Sequence, residues 1–333
     1  MLRNENSLDI VRYYLSFAVL FAHFAELTGS TNYFPTSSYS AVGAFFILSG
    51  FLVFYSYLRC QSPGEYFMRR ARRILPPYRA IVVLCCIMGA FITRLPLGEY
   101  FTASQLWQYL AANLTFANFL QPSLPGVFEG QVHEAVNGSL WTMKVEVLLY
   151  LTLPLAAWLM SRCNKSWVAL LFIYISSYIY KLWMGHLYDT TGEMIYRIMQ
   201  RQVGGQLLFF YSGVTLLLYF DYFQRHVRVL FPIALAVCFA SKAVNWFDAI
   251  EPLCIAIVII GFAYNCRWFE WMRKYDNIAY DIYLFHYPVI QLVVHWGLPD
   301  VNIYLSFAVV MTMTILLSLA SWYIIERPIM RRR

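Results

Sequence analysis

The chain has 333 residues, of which 60% are hydrophobic and 13% charged, with a formal net charge of +7. Ordinary soluble domains hold roughly 45–50% apolar and about 25% charged residues, so a pair of soluble domains is excluded and an integral membrane protein is expected. Nor does the positive balance point to nucleic acid, because the basic residues sit in short clusters between apolar runs, which is the pattern of membrane topology.

The seven cysteines are an odd number, and none has the spacing of a metal site or a redox pair. The first apolar stretch carries Asp9, Arg12 and His23 and lacks a small-residue cleavage site after a short apolar core. It is expected to be an uncleaved first helix.

A bilayer core of about 30 Å needs about 20 helical residues. Runs of that kind, bounded by charge, Pro or Asn/Gly clusters, occur at 8–28, 39–58, 76–95, 140–160, 167–185, 203–220, 229–241, 249–265, 277–297 and 303–324. Ten spans place both termini on one side. With that side inside, the inner segments hold Arg3, Arg59, Arg69, Arg70, Arg72, Arg73, Arg162, Lys165, Arg225, Arg228, Arg267, Arg273, Lys274, Arg327, Arg331, Arg332 and Arg333, 17 in all, against Arg94, Arg197, Arg201 and Lys242 outside. Such a bias predicts cytoplasmic termini. The expected fold is an all-α polytopic helix bundle in the cell inner (cytoplasmic) membrane, one domain over 1–333. An outer segment, 96–139, contains the aromatic stretch 105–119, read as an interfacial helix or lid, or as a plain aromatic belt.

In the first span, Arg12 and His23 are eleven residues apart, which returns to within 20° of the same helix face. Asp9, one turn before, is expected to pair with Arg12, and Glu26 to hold the His23 ring. Ionisable groups inside a span are functional candidates by default. The second span contains Ser49-Gly50, small residues that let another helix approach closely. Between the second and third spans, Arg69, Arg70, Arg72 and Arg73 lead into Pro76-Pro77-Tyr78. Four arginines in five residues suit phosphate oxygens on a cytosolic ligand, but taken by themselves they are better read as attracted to an anionic lipid surface. The fourth span places Glu146 and Tyr150 on one face, and the ninth places Tyr283 and His286 one turn apart. Hydrogen bonds between helices explain the ninth-span pair as well as chemistry does. The tenth closes on Glu326-Arg327-Pro328, which reads as a helix stop.

Taken in order, Arg12-x10-His23, Phe45-Phe46 with Ser49-Gly50-Phe51-Leu52, the Arg69–Arg73 run before Pro76-Pro77-Tyr78, Trp141-Thr142-x3-Glu146-x3-Tyr150, Tyr280-x2-Tyr283-Leu-x-His286-x-Pro288 and Glu326-Arg327-Pro328 resemble the acyltransferase 3 family of membrane O-acyltransferases of bacterial surface sugars. The resemblance covers nearly the whole chain. It implies transfer of an acyl group, usually acetyl from acetyl-CoA, to a sugar hydroxyl. On matching positions it implies His23 as catalytic base or acyl acceptor, Arg12 as its partner or a donor-binding residue, and the arginine run as the contact for CoA phosphates. Glu146 joins His23 and Arg12 as an expected catalytic residue, and Tyr283 and His286 join the arginines as expected cofactor-binding residues. Thr142, Ala279 and Lys144 depart from the family's commoner residues. The C-terminal hydrolase-like domain of some members is not expected here.

The function expected is therefore acyl transfer from acyl-CoA to a lipid-linked or polymeric cell-surface sugar, by general-base catalysis at His23 or through an acyl-His23 intermediate. A proton-coupled membrane transporter is the alternative, since it too would bury His, Arg and Glu, although no paired halves are visible. A lipid-binding scaffold would leave Arg12, His23 and Glu146 without a purpose.

Overall fold

The computed structural model describes residues 6–241 and 248–331. Of the basic residues in the orientation argument, Arg3, Lys242, Arg332 and Arg333 lie outside the described residues. The described residues form helices and their connections, with no strand among them. In chain order the helices are α1 (Leu8–Thr28), α2 (Ser38–Tyr57), α3 (Pro63–Ile92), α4 (Leu97–Thr102), α5 (Ser104–Leu114), α6 (Trp141–Arg162), α7 (Ser166–Thr191), α8 (Met194–Gln200), α9 (Val203–Leu218), α10 (Phe220–Ala240), α11 (Glu251–Asn265), α12 (Ala279–His295), α13 (Leu298–Val301), α14 (Ile303–Ser321) and α15 (Arg327–Arg331).

A helix lies at each of the ten expected spans. Among the described residues, seven helical stretches are long and apolar enough to cross a membrane, namely α1, α2, α3, α6, α7, α10 and the run from α14 onward. The other three, α9, α11 and α12, have 16, 15 and 17 residues. At 1.5 Å per residue they fall short of a 30 Å core.

Three boundaries differ from the sequence expectation. α3 starts at Pro63, well before 76, so the arginine run is helical. Proline is at home in the first turn of a helix, and Pro76 and Pro77 inside α3 remove only the bonds that the Arg72 and Arg73 carbonyls would accept. α10 likewise begins at Phe220, before 229. At the other end, Glu326-Arg327-Pro328 is no helix stop. A π-helical turn, Trp322–Glu326, joins α14 to α15, and its wider hydrogen-bond step accommodates the missing Pro328 N–H.

The chain divides into two compact units. The first comprises residues 1–15, 39–66 and 145–275. Within it α2 and α9 meet backbone to backbone: a Cβ at Gly50 would overlap the Phe210 carbonyl, and one at Gly213 the Ile47 carbonyl. Small residues at such a crossing are what allow the approach. Ser177 of α7 donates to the Gly204 carbonyl at 2.6 Å, while Trp167, Leu171, Phe172, Ile175 and Trp183 leave the outer side of α7 apolar and exposed, as a lipid-facing surface requires.

The second unit comprises residues 16–38, 67–144 and 276–333. Its core is α12, buried almost all round. Asn137 donates to the Leu284 carbonyl at 2.9 Å, and Gln291 to the His133 and Ala135 carbonyls at 2.6 and 2.9 Å, so the stretch before α6 is tied along α12. The segment 96–126 runs beside α3. Tyr100 donates to the Cys86 carbonyl at 2.8 Å, Tyr78 donates to the Asn113 carbonyl at 2.7 Å, and Phe116 stacks on Tyr78 with ring centroids 4.4 Å apart. The chain then comes back, with Thr93 donating to the Pro125 carbonyl at 2.8 Å and Arg94 N–H to the Gly126 carbonyl at 3.0 Å. Tyr78 and Thr93 are about 22 Å apart along α3 at 1.5 Å per residue. The segment is therefore a hairpin that enters and leaves at the Thr93 end of α3 and turns near Tyr78. Phe116, at φ +62°, makes the turn in the left-handed region, and its stacking on Tyr78 offsets the cost.

Candidate active site

α1 and α12 run parallel in one register: Ser16 donates to the Ala279 carbonyl at 2.6 Å, and seven residues further on His23 meets His286. Seven residues are two helical turns, so one contact carries the other onto the same side. His23 Nδ1 lies 2.8 Å from His286 Nε2, with the two ring planes within 5°. His286 is fully buried, and its Nδ1 lies 3.1 Å from the Ile282 carbonyl.

This geometry fixes the protons of a neutral pair. A carbonyl only accepts, so His286 Nδ1 carries its hydrogen and Nε2 is left as an acceptor. His23 Nδ1 must then donate to that Nε2, which leaves His23 Nε2 with a free lone pair. His23 is half-buried and His286 fully buried, so the free lone pair lies on a ring that a more deeply buried ring holds in place. The rings of Tyr287 and His23 meet edge to face with their centroids 5.1 Å apart, and Gly138 leaves room for the Tyr287 ring, because a Cβ there would collide with it. Tyr283 points its hydroxyl at Thr142 Oγ1, 2.7 Å away, and its ring sits 5.8 Å from that of His286.

The expected partner of His23 is different from the observed one. Glu26 bonds instead to His133 at 3.0 Å on the exposed side, because the face of α1 that carries His23 is taken by α12. The expected pairing of Asp9 with Arg12 is present at 2.9 Å. In the first unit, Glu146 Oε1 accepts hydrogen bonds from Ser49, at 3.0 Å, and from Tyr150. Arg12 and Glu146 thus belong to the first unit, and His23, Tyr283, His286 and the arginine run to the second.

Within that run the residues diverge. Arg73 is committed: it bonds to buried Glu326 at 2.7 Å and lies over the rings of Trp322 and Tyr280 at 5.6 and 5.9 Å. Arg69 and Arg72 are exposed and Arg70 is half-buried. Tyr280 is six residues before His286, about 9 Å along α12, so the run and the histidine pair are served by one helix. Sequence reasoning missed Ser16 and the buried role of Glu326. The signal for Ser16 was the matched seven-residue spacing in α1 and α12.

The sequence model of the acyltransferase 3 family, described as an acyltransferase domain, matches residues 5–325. The chain belongs to this family. Two relatives match along almost their full lengths. "Nodulation protein 10" of Rhizobium leguminosarum bv. viciae is 24% identical, with 99% of this chain and 94% of that protein covered. "O-acetyl transferase" of Shigella phage Sf6 is 22% identical, with 99% and 98% covered. No solved structure matches. The protein is an acyltransferase with several membrane-crossing helices, and the transporter reading is left without support.

Proposed function

We infer that the protein is an O-acyltransferase of the cell inner membrane that moves an acetyl group from acetyl-CoA to a hydroxyl of a lipid-linked or polymeric cell-surface sugar. The observation that carries this reading is the His23–His286 hydrogen bond, because it leaves His23 Nε2 as the proton acceptor that acyl transfer to a hydroxyl needs. The similarity to the phage O-acetyl transferase supports oxygen as the acceptor atom and acetyl as the group.

In the step proposed, His23 Nε2 takes the proton of the acceptor hydroxyl as its oxygen attacks the thioester carbonyl. The tetrahedral intermediate then collapses, the carbon–sulfur bond breaks, and the leaving CoA thiolate takes up the proton from His23. His286 positions His23 and steadies the charge on the imidazolium formed. Exposed Arg69 and Arg72, with Arg70, would receive the CoA phosphates as a cluster of bidentate donors. Arg73, Tyr283 and Thr142 would shape the path between them. Arg12 and Glu146 are proposed to orient donor and acceptor groups, Glu146 as a carboxylate fixed by Ser49 and Tyr150.

Ten spans with both termini cytoplasmic fit this reading, since the arginine run then faces the compartment that holds CoA. The parallel course of α1 and α12, the first and ninth spans, agrees with that count. The test is acetyl transfer from labelled acetyl-CoA to envelope saccharide in membranes holding the protein or its His23→Ala variant. Label should enter an ester on the saccharide with the wild type and be lost with the variant, which still inserts. Equal labelling would remove His23 from the mechanism.

A further inference from the structure

α12 carries Pro288 in its interior. A proline has no N–H for the carbonyl four residues before it, and its ring crowds that carbonyl. The carbonyl concerned is that of Leu284, a fully buried residue, and His286 lies midway between the two. Burial keeps water from such an acceptor, so its partner has to come from elsewhere in the protein. Asn137 supplies it: its Nδ2 donates to the Leu284 carbonyl at 2.9 Å. The amide can sit only this way round, because its Oδ1 accepts from the N–H and from the hydroxyl of Ser139, at 3.2 and 2.7 Å.

The neighbours of Asn137 grip the same stretch of α12. A Cβ at Gly138 would strike the Tyr287 ring, and Thr142 Oγ1 lies 2.7 Å from the Tyr283 hydroxyl. Beyond the proline, Gln291 donates to the His133 and Ala135 carbonyls. Residues 133–142 therefore hold α12 on both sides of Pro288, as a splint holds a break. A helical turn that lacks its closing bond at a proline is open to bending, and His286 sits within that turn. The bond from His23 Nδ1 to His286 Nε2, 2.8 Å long, depends on where the His286 ring points. A misplacement of about 1 Å at a reacting group can cost about a hundredfold in rate.

We propose that Asn137 is a positioning residue: its amide stands in for the backbone donor that Pro288 lacks, and so aims His286 at His23. The proposal rests on the acyltransferase reading above, in which His286 works through His23. Acetyl transfer would be measured in membranes for Asn137→Ala alone and in the Pro288→Ala and His286→Ala backgrounds. Alone, it should lower kcat at least about tenfold with KM for acetyl-CoA unchanged. In the Pro288→Ala background the loss should shrink to less than about twofold, because the N–H of the new alanine can reach the Leu284 carbonyl. It should shrink likewise with His286→Ala, where there is no ring left to aim. The same loss in all three backgrounds, or a loss that appears only in KM, overturns the proposal. Should Asn137→Ala fail to fold, its combination with Pro288→Ala should fold and work at the rate of Pro288→Ala; recovery of neither overturns it. Spectra of the protein in detergent with 15N-labelled histidine, His286 being assigned by its loss in His286→Gln, give a readout apart from activity. In the wild type His286 should carry its hydrogen on Nδ1 alone, and in Asn137→Ala a second tautomer should appear; an unchanged signal overturns the proposal. That spectral change in a protein without any acetyl transfer would sink the enzyme reading and leave the splint standing.

Discussion

Ser16 of α1 donates a hydrogen bond to the carbonyl of Ala279 at the start of α12, at 2.6 Å. Two turns later the same pair of helices brings His23 Nδ1 to 2.8 Å from His286 Nε2. The fully buried His286 thus supports the half-buried His23, an arrangement in which the second works through the first.

His286→Ala should therefore lower kcat about a hundredfold or more, in the range of a lost general base, with little change in KM for acetyl-CoA. His286→Gln should keep more of the rate, since its amide oxygen still accepts from His23 Nδ1. Steady-state kinetics in membranes or detergent would measure both. A raised KM for acetyl-CoA at unchanged kcat would instead make His286 a donor-binding residue.

Arg72 and Arg73 are neighbours with different surroundings, and their variants should behave differently. Arg72→Ala should raise KM for acetyl-CoA about tenfold and leave thermal unfolding unchanged, because the side chain is exposed. Arg73→Ala removes the partner of buried Glu326. It should lower stability by about 1–3 kcal/mol, between the values for exposed and fully buried pairs, and thermal unfolding in detergent would read this. If both variants changed only KM, the Arg73–Glu326 pair would have no structural weight.

Gly50→Ala places a methyl group against the Phe210 carbonyl. The α2–α9 crossing must widen, at a cost of about 1–3 kcal/mol or more. Gly64→Ala is the control, since a Cβ there meets only Ser62 Oγ at 3.8 Å. A lower unfolding temperature for the first substitution and none for the second is expected. Equal midpoints would refute the close crossing.

Rapid quench with labelled acetyl-CoA in the absence of acceptor separates direct transfer from an acyl-His23 route. With His23 acting as base, no label should remain on the protein. Label lost in His23→Ala would establish the covalent route.

Much of this protein was legible in its sequence. Apolar runs of helical length and the scarcity of charge determine the membrane class and the helix positions, because the bilayer core imposes both. The short-range pairs followed too: Asp9 with Arg12 is one turn of one helix, and Glu146 with Tyr150 is the same relation in α6. Local geometry suffices for residues three or four apart. Partners far apart in sequence were another matter. His23 reads as a partner of Glu26, yet its ring meets His286, 263 residues away. Arg73 reads as a ligand contact, yet it meets Glu326. The segment 96–139 reads as an outer connection, yet part of it turns back beside α3 to bring Phe119 over Lys144. Such contacts depend on which helices pack together and in what register. Hydropathy carries no information on that, because the faces that meet lipid and the faces that meet protein are alike in being apolar. Sequence alone determined the solvent in which this chain folds and the residue types available to it, whereas tertiary packing decided which histidine holds which.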